Sequence, residues 1–140
     1  QAHSQLQSKK WKEAAYSIGV LSHYFSDPWM PLHTGQTTRE TLFHRPLEWS
    51  VCCAYQEIFD RCLANEALES FTLPAGEGWL TETIHAGARL ANGYYESIMD
   101  DYDLQESGKQ PAVALGNRSK DDLAQIFTWV LTAWGGALDR

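Results

Sequence analysis

Three of the five histidines in this chain lie in one short stretch, with Asp27 and Glu48 among them. They are, in chain order, His23, Asp27, His33, His44 and Glu48. His23 and Asp27 are four residues apart, as are His44 and Glu48, and this spacing puts each pair on one face of a helix. Helical pairs of imidazole and carboxylate groups can bind one divalent cation. The spacing therefore indicates metal chemistry in this stretch.

The donor set His33, His44 and Glu48 matches that of many catalytic zinc sites. Nitrogen and carboxylate ligands without thiolate suit zinc, at metal–ligand distances of about 2.0–2.2 Å. Three protein ligands leave a fourth position for water or substrate. His23 and Asp27 provide two ligands, so a site there needs a further donor. Each helical pair also has a plainer interpretation as a surface ion pair or a structural hydrogen bond.

The overall composition is that of one folded domain. The chain has 140 residues, of which 44% are hydrophobic, which suits a core of useful size. A net charge of -7 argues against general nucleic-acid binding, because that needs a basic surface. No apolar run reaches the roughly 18 residues of a membrane span, so we expect no transmembrane segment.

The three cysteines, Cys52, Cys53 and Cys62, make a poor disulfide framework because their number is odd and two are adjacent. No C-x-x-C pair is present, which argues against a thiolate zinc site. We expect all three to be small buried residues on a helix.

Apolar periodicity predicts helices along nearly the whole chain. A first helix is expected over about residues 8–25, ending before Pro28 because the residue that precedes a proline avoids the helical region. A loop is expected over residues 28–38. A second helix should run from residue 41 or 45 to residue 67. The later start is preferred because Pro46 suits a first helical turn better than a helix interior.

Two further helices complete the predicted bundle. The third is expected over about residues 80–103, and the fourth begins at Ser119, as its cap, and fades at Gly135 and Gly136. No alternating strand pattern appears, so residues 1–140 are predicted to form a single all-α domain, a bundle of about four main helices. The residues expected to face its core are Trp11, Ala15, Ile18, Phe25, Leu47, Val51, Tyr55, Ile58, Cys62, Ile84, Ala88, Ala91, Tyr95, Ile98, Leu123, Ile126, Phe127, Val130 and Leu131.

Residues 9–55 resemble the zinc-dependent phospholipase C family, which is related to the S1/P1 nucleases. That family carries G-x-x-x-H-[YF]-x-x-D on one helix, a Pro-[LM]-His segment after it, and H-x-x-x-[ED] at the start of the next long helix. Glu48 favours the phospholipase branch, whereas Met30 stands where the family usually has Gln. The matching residues are Gly19, His23, Tyr24, Asp27, Pro31, Leu32, His33, His44 and Glu48.

The resemblance implies a phospholipase C/P1 nuclease-like fold with up to three zinc ions. His23 would be a ligand of a paired-metal site, and Asp27 would bridge its two ions and act in catalysis. His33, His44 and Glu48 would hold the remaining zinc, and theirs is the site we expect to be complete. The implied activity is hydrolysis of phospholipids or other phosphodiesters by metal-activated water. The resemblance also favours an extracytoplasmic location, secreted or periplasmic.

The paired-metal site lacks some of the donors that the family uses. Family members supply them from residues that precede the motif, where this chain has only His3 among its histidines. We therefore expect a missing N-terminal segment or a partner chain to complete that site. A catalytically inactive relative, acting as a binding or assembly subunit, is the alternative. A nuclease of the S1/P1 type is a second alternative, which Glu48 and the acidic charge disfavour.

Overall fold

A computed structural model describes residues 1–35 and 37–140 of the chain. These residues form a helical bundle whose only β contact is an isolated bridge between Tyr102 and Leu115, so the predicted all-α class is confirmed. Gln36, in the predicted loop of residues 28–38, lies outside the described part. The helices are α1 (Ala2–Gln7), α2 (Trp11–Ser26), α3 (Thr38–Ala64), α4 (Trp79–Asn92), α5 (Tyr95–Asp101), α6 (Pro111–Ala114) and α7 (Asn117–Leu138), with 3-10 turns at Asp27–Trp29 and Pro31–His33. No helix among the described residues is long and apolar enough to cross a membrane.

The first predicted helix, over about residues 8–25, corresponds to α2, and the short α1 that precedes it was not predicted. Lys9 has a φ of 58°, which a right-handed helix cannot contain, so α1 ends before it and α2 begins only at Trp11. The predicted apolar stripe on α2 is also partly wrong, because the Trp11 side chain is 63% exposed whereas Ala14 and Phe25 are buried. The predicted end is confirmed, since Asp27 and Pro28 belong to the following 3-10 turn.

Helix α3 begins earlier than predicted and contains Pro46 in its interior. The Thr37 hydroxyl caps it by accepting a hydrogen bond from the backbone N–H of Glu40 at 3.0 Å. Pro46 cannot donate to the carbonyl one turn before it, that of Leu42. Leu42 is 63% exposed, so water can reach this region and offset the loss. The prediction of a start near residue 45 is therefore wrong, and α3 also ends before residue 67.

The third predicted helix is divided into α4 and α5. The chain turns at Gly93, whose backbone N–H bonds to the carbonyls of Arg89 and Leu90 at 3.3 and 3.2 Å. The apolar periodicity continues across this turn, since Ala91, Tyr95 and Ile98 are all buried. A break that keeps the same face towards the core leaves no mark in the hydrophobic pattern.

The start of α7 is capped by a side chain from another helix, α5. Ser119, predicted to be the cap, is fully buried inside the helix, and its backbone N–H donates to Asp101 Oδ2 at 2.8 Å. A carboxylate at this end also interacts favourably with the helix dipole. At its other end α7 continues through Gly135 and Gly136, contrary to the prediction.

The core joins α3, α5 and α7 to the two 3-10 turns. Eight of the predicted core residues are buried: Phe25, Leu47, Ile58, Ala91, Tyr95, Ile98, Leu123 and Ile126. The prediction omitted several large buried side chains, namely Trp29, Leu32, Met99, Leu115 and Trp129. Trp29, Leu32 and Leu115 lie in short turns and connections, which have no periodicity from which burial can be inferred.

The cysteines are only partly where they were predicted. All three are free and lie on α3, but Cys52 and Cys53 are exposed, contrary to the prediction that they are buried. Cys62 is partly buried and donates to the carbonyl of Ile58 at 3.3 Å. Burial raises the pKa of its thiol, as expected for a thiol that packs as an apolar group.

The Trp29 indole packs directly on the backbone of α4 at Gly87. Trp29 is 1% exposed, and a Cβ at position 87 would come within 2.8 Å of its Cζ2 atom. The Phe71 ring contacts the indole edge-on, with ring centroids 5.0 Å apart. Gly87 is thus required by this close approach, which ties the first 3-10 turn to α4. The indole N–H has no hydrogen-bond partner among the described residues.

Helices α3 and α7 are also joined by a polar network. Glu57 accepts from Lys120 Nζ and from Arg61, each at 2.7 Å, and Arg61 also donates to Asp121 at 2.6 Å. Lys120 is only 8% exposed. Hydrogen bonds from Lys120 and then Arg61 hold the pKa of Glu57 below its usual value. The network therefore favours the ionised carboxylate in the folded state.

Replacing Gly87 with Ala should lower the free energy of unfolding by about 1–3 kcal/mol, because the new methyl group would overlap the Trp29 indole. Gly19→Ala is the matched control, since a Cβ there meets nothing within 4 Å and alanine in a helix interior is favoured over glycine by up to about 1 kcal/mol. Urea unfolding of both variants measures the contrast. Equal stability of the two variants would contradict the packing described.

Replacing Glu57 with Gln should destabilise the protein at pH 7 by about 1 kcal/mol, a modest figure because this carboxylate is 47% exposed. The folded state holds the pKa below its unfolded value near 4.3. The contribution is therefore complete above that value and is lost as the pH falls through the lower folded pKa. Urea unfolding from pH 7 to pH 3 should show the variant and the parent converging in acid. A difference that does not change with pH would refute the ion-pair account.

Candidate metal centre

His33 is held by the second 3-10 turn, Pro31–His33. Pro31 and Leu32 are fully buried and anchor the turn in the core, while the His33 side chain remains 28% exposed. The backbone N–H of His33 bonds to the carbonyl of Met30 at 2.9 Å. Burial of its neighbours thus fixes the position of an imidazole at the protein surface.

His44 and Glu48 lie one turn apart on α3, facing His33. Glu48 Oε1 lies 3.1 Å from His44 Nε2 and 3.3 Å from His33 Nε2. The two imidazole rings stack with their centroids 5.1 Å apart and their planes inclined by 18°. The structure therefore brings together three of the five residues singled out in the sequence, and their ligand atoms all lie within 4.8 Å of one another.

Hydrogen bonds at the far side of each ring decide which nitrogen faces Glu48 with a lone pair. His33 Nδ1 lies 3.0 Å from the backbone oxygen of Asp27, which can only accept, so Nδ1 carries the proton. His44 Nδ1 in the same way donates to the Glu40 carboxylate. In neutral rings, both Nε2 atoms are then unprotonated. Metal-binding histidines in proteins are typically oriented through their second nitrogen in this manner.

This arrangement calls for a positive charge between the three groups. Two unprotonated nitrogens and a carboxylate oxygen in contact repel one another unless a cation lies among them. A proton on one ring would pair that ring with Glu48 but leave the other Nε2 facing the carboxylate with its lone pair. Protonating both rings would stack two imidazolium ions at 5.1 Å, a like-charge contact that is unfavourable. Among the described residues, no Lys or Arg pairs with Glu40 or Glu48. One divalent ion satisfies all three groups at once.

Two of the three donor separations match those around a zinc ion. Tetrahedral zinc with ligands at about 2.0–2.1 Å has ligand–ligand separations of about 3.3–3.4 Å. The two separations that involve Glu48, 3.1 and 3.3 Å, are close to this. Two imidazoles and one carboxylate are also a donor set that zinc accepts readily. The residues present thus fit the metal, and a fourth position remains for another ligand.

His23 and Asp27 do not join this group. Asp27 Oδ1 lies 3.4 Å from His23 Nδ1 and 4.0 Å from His33 Nδ1, and the His23 side chain is 70% exposed. Within residues 1–35 and 37–140, no third donor approaches this pair closely enough to form a cluster. The pair has the geometry of a solvent-exposed helical ion pair, in which Asp27 lies between His23 and His33.

Glu40 is the residue of the centre that the sequence interpretation missed. It lies one turn before His44 on α3 and fixes the orientation of that ring. The sequence does contain a pattern that points to Glu40, because Glu40, His44 and Glu48 repeat the same four-residue spacing. Because the helix was expected to begin near residue 45, Glu40 was not counted among the residues on its face.

An apolar cavity of about 360 Å³ opens beside the centre. Asp27, His33 and Glu48 contribute to its wall, and side chains of α3 and α7 form most of the remainder. The group of possible metal ligands therefore borders a space large enough for a small organic molecule.

Comparisons of the chain with protein-family models, curated proteins and solved structures found no match.

Proposed function

We propose that the protein is a zinc-dependent phosphodiester hydrolase of the phospholipase C type. The observation that carries the proposal is the convergence of His33, His44 and Glu48, with both imidazoles fixed through Nδ1 so that Nε2 is free to bind a metal. The resemblance of residues 9–55 to that family supports the choice of reaction. The His33/His44/Glu48 group would hold the zinc ion.

A bound zinc ion would supply two things, namely a water ligand whose pKa falls to about 7 and positive charge for the phosphoryl oxygens. Glu48 and the two imidazoles would position the ion at the mouth of the cavity. Glu40 and the Asp27 carbonyl would keep the rings in their binding orientation. The Asp27 carboxylate also borders the cavity, where we propose that it accepts a proton during hydrolysis.

A catalytically inactive relative that serves as a binding subunit is the second candidate. It is favoured by the exposed surface of α2, where Trp11, Tyr16 and Tyr24 are 63%, 76% and 69% exposed. The His23–Asp27 pair lies on the same helix and has two donors only. A chain that kept one metal for structure while another molecule covered α2 would have these features.

Replacing His44 with Ala should reduce zinc affinity at least about 100-fold, because one of three ligands is lost. Glu40→Gln should reduce it by about 10- to 100-fold, since the ring loses its orienting carboxylate. His85→Ala, which removes an exposed histidine on α4, is the matched control and should bind zinc as the parent does. Competition with a fluorescent zinc chelator measures all three affinities, and circular dichroism checks that each variant is folded.

Unchanged zinc affinity in folded His44→Ala would refute the proposed site. A fall in the His85→Ala control to the same extent would place the metal elsewhere.

Zinc-loaded protein should hydrolyse bis(4-nitrophenyl) phosphate, and chelation should abolish the activity because the activated water is lost. Asp27→Asn should lower kcat while leaving zinc affinity within about threefold, since the carboxylate is proposed to act on protons and lies outside the ligand group. Release of nitrophenolate, followed by absorbance, measures the rate. Tight zinc binding without turnover would favour the inactive relative, and turnover that survives chelation would exclude the zinc mechanism.

A further inference from the structure

We propose that the cavity beside the metal centre is an apolar subsite, and that it selects phosphate esters that carry one compact hydrocarbon group. This inference rests on the proposed function for the position of the phosphate. It adds which part of the substrate the chain recognises and which residues recognise it.

One face of α3 leads from the metal centre into the cavity. Val51 follows Glu48 by three residues and Tyr55 follows Val51 by four, so the three side chains lie along one face of the helix. All three line the cavity. A ligand with its phosphate at Glu48 would therefore have its substituent directed along Val51 and Tyr55.

Helix α7 provides the opposite wall. Leu123 is fully buried and Ile126 is 2% exposed, so their side chains are fixed by the core. Phe127, Val130 and Leu131 line the cavity further along the same helix. A wall held by buried neighbours is already formed before a ligand arrives, which lowers the entropic cost of binding.

The charged side chains that line the cavity are few. They are Asp27, His33 and Glu48, and no Lys or Arg is among the described residues that line it. Anionic groups can therefore be stabilised only near the metal centre. The lining includes two hydroxyls, those of Ser26 and Tyr55, and the Ser26 hydroxyl already donates to the His23 carbonyl, which leaves a polar base or sugar largely unpaired. A hydrocarbon group suits this surface.

The cavity volume suits a compact group. At about 360 Å³ it lies at the lower end of the roughly 300–1,000 Å³ common for small-molecule sites. Each methylene that leaves water should tighten binding about fourfold, from the usual burial energy of about 0.8 kcal/mol. The gain should stop once the cavity is filled.

The test is a calorimetric titration of the zinc-loaded full chain with n-alkyl phosphates from methyl to octyl. Affinity should rise about fourfold per carbon and then level off. Uridine 5′-monophosphate should bind no more tightly than methyl phosphate. A flat series, or preference for the nucleotide, would overturn the inference.

Val130→Trp fills the cavity and should flatten the chain-length series without reducing affinity for methyl phosphate. Val113→Trp is the matched control, because Val113 is 61% exposed on α6 and does not line the cavity. Should Val130→Trp fail to fold, Leu131→Trp serves instead, since Leu131 is 49% exposed and lines the cavity. A cavity-filling variant that is folded and keeps the full series would refute the subsite.

The metal-free chain separates this inference from the proposed function. Titration of that form with n-alcohols should give weaker binding with the same dependence on chain length. That result together with no zinc binding would uphold the subsite and refute the hydrolase. Zinc-dependent turnover with no chain-length dependence in either form would uphold the hydrolase and refute the subsite.

Discussion

The contact between the Trp29 indole and the bare backbone of Gly87 holds the segment on which the candidate centre depends. Two 3-10 turns follow α2, and turns of this length have few internal hydrogen bonds to stabilise them. Their position comes from burial of Trp29 and Leu32 in the core. His33, next to Leu32, is carried to the side of α3 as a consequence. The packing of Trp29 and Leu32, which precede α3 in the chain, thus decides whether the imidazoles meet.

The charges of the centre distinguish it from the other polar contacts of the protein. Glu57 and Asp121 are neutralised by Lys120 and Arg61, which provide permanent positive charge. Glu40 and Glu48 have only imidazoles as partners within the described residues, and those imidazoles already donate through Nδ1. A structural ion-pair network needs no further ion, whereas a proton on one imidazole satisfies this group in part and a divalent cation would satisfy all three side chains. That contrast is the physical argument for a metal.

Sequence patterns predicted the features that depend on local spacing. The all-α class followed from apolar periodicity, and the His44–Glu48 pair followed from a four-residue repeat on one helix. Two features that depend on tertiary contacts were missed, because Asp101 caps α7 from another helix and Trp29 is buried from within a turn. Pro46 was placed at a helix start although α3, capped locally by Thr37, includes it. The closeness of His33 to Glu48 could be expected only from the family motif, because the number of residues across a turn does not determine the distance between two side chains.

The continuity of α3 through Pro46 connects the centre to the cavity. A helix starting at residue 45 would leave His44 on a mobile end, with its ring free of Glu40. In the structure, Glu40, His44 and Glu48 follow one another at single turns, and Val51 and Tyr55 extend the row into the cavity. One rigid helix therefore positions the ring-orienting carboxylate, two candidate ligands and one wall of the apolar space. A molecule bound at both places would meet surfaces whose relative position is set before it arrives, and such preorganisation favours binding and catalysis together.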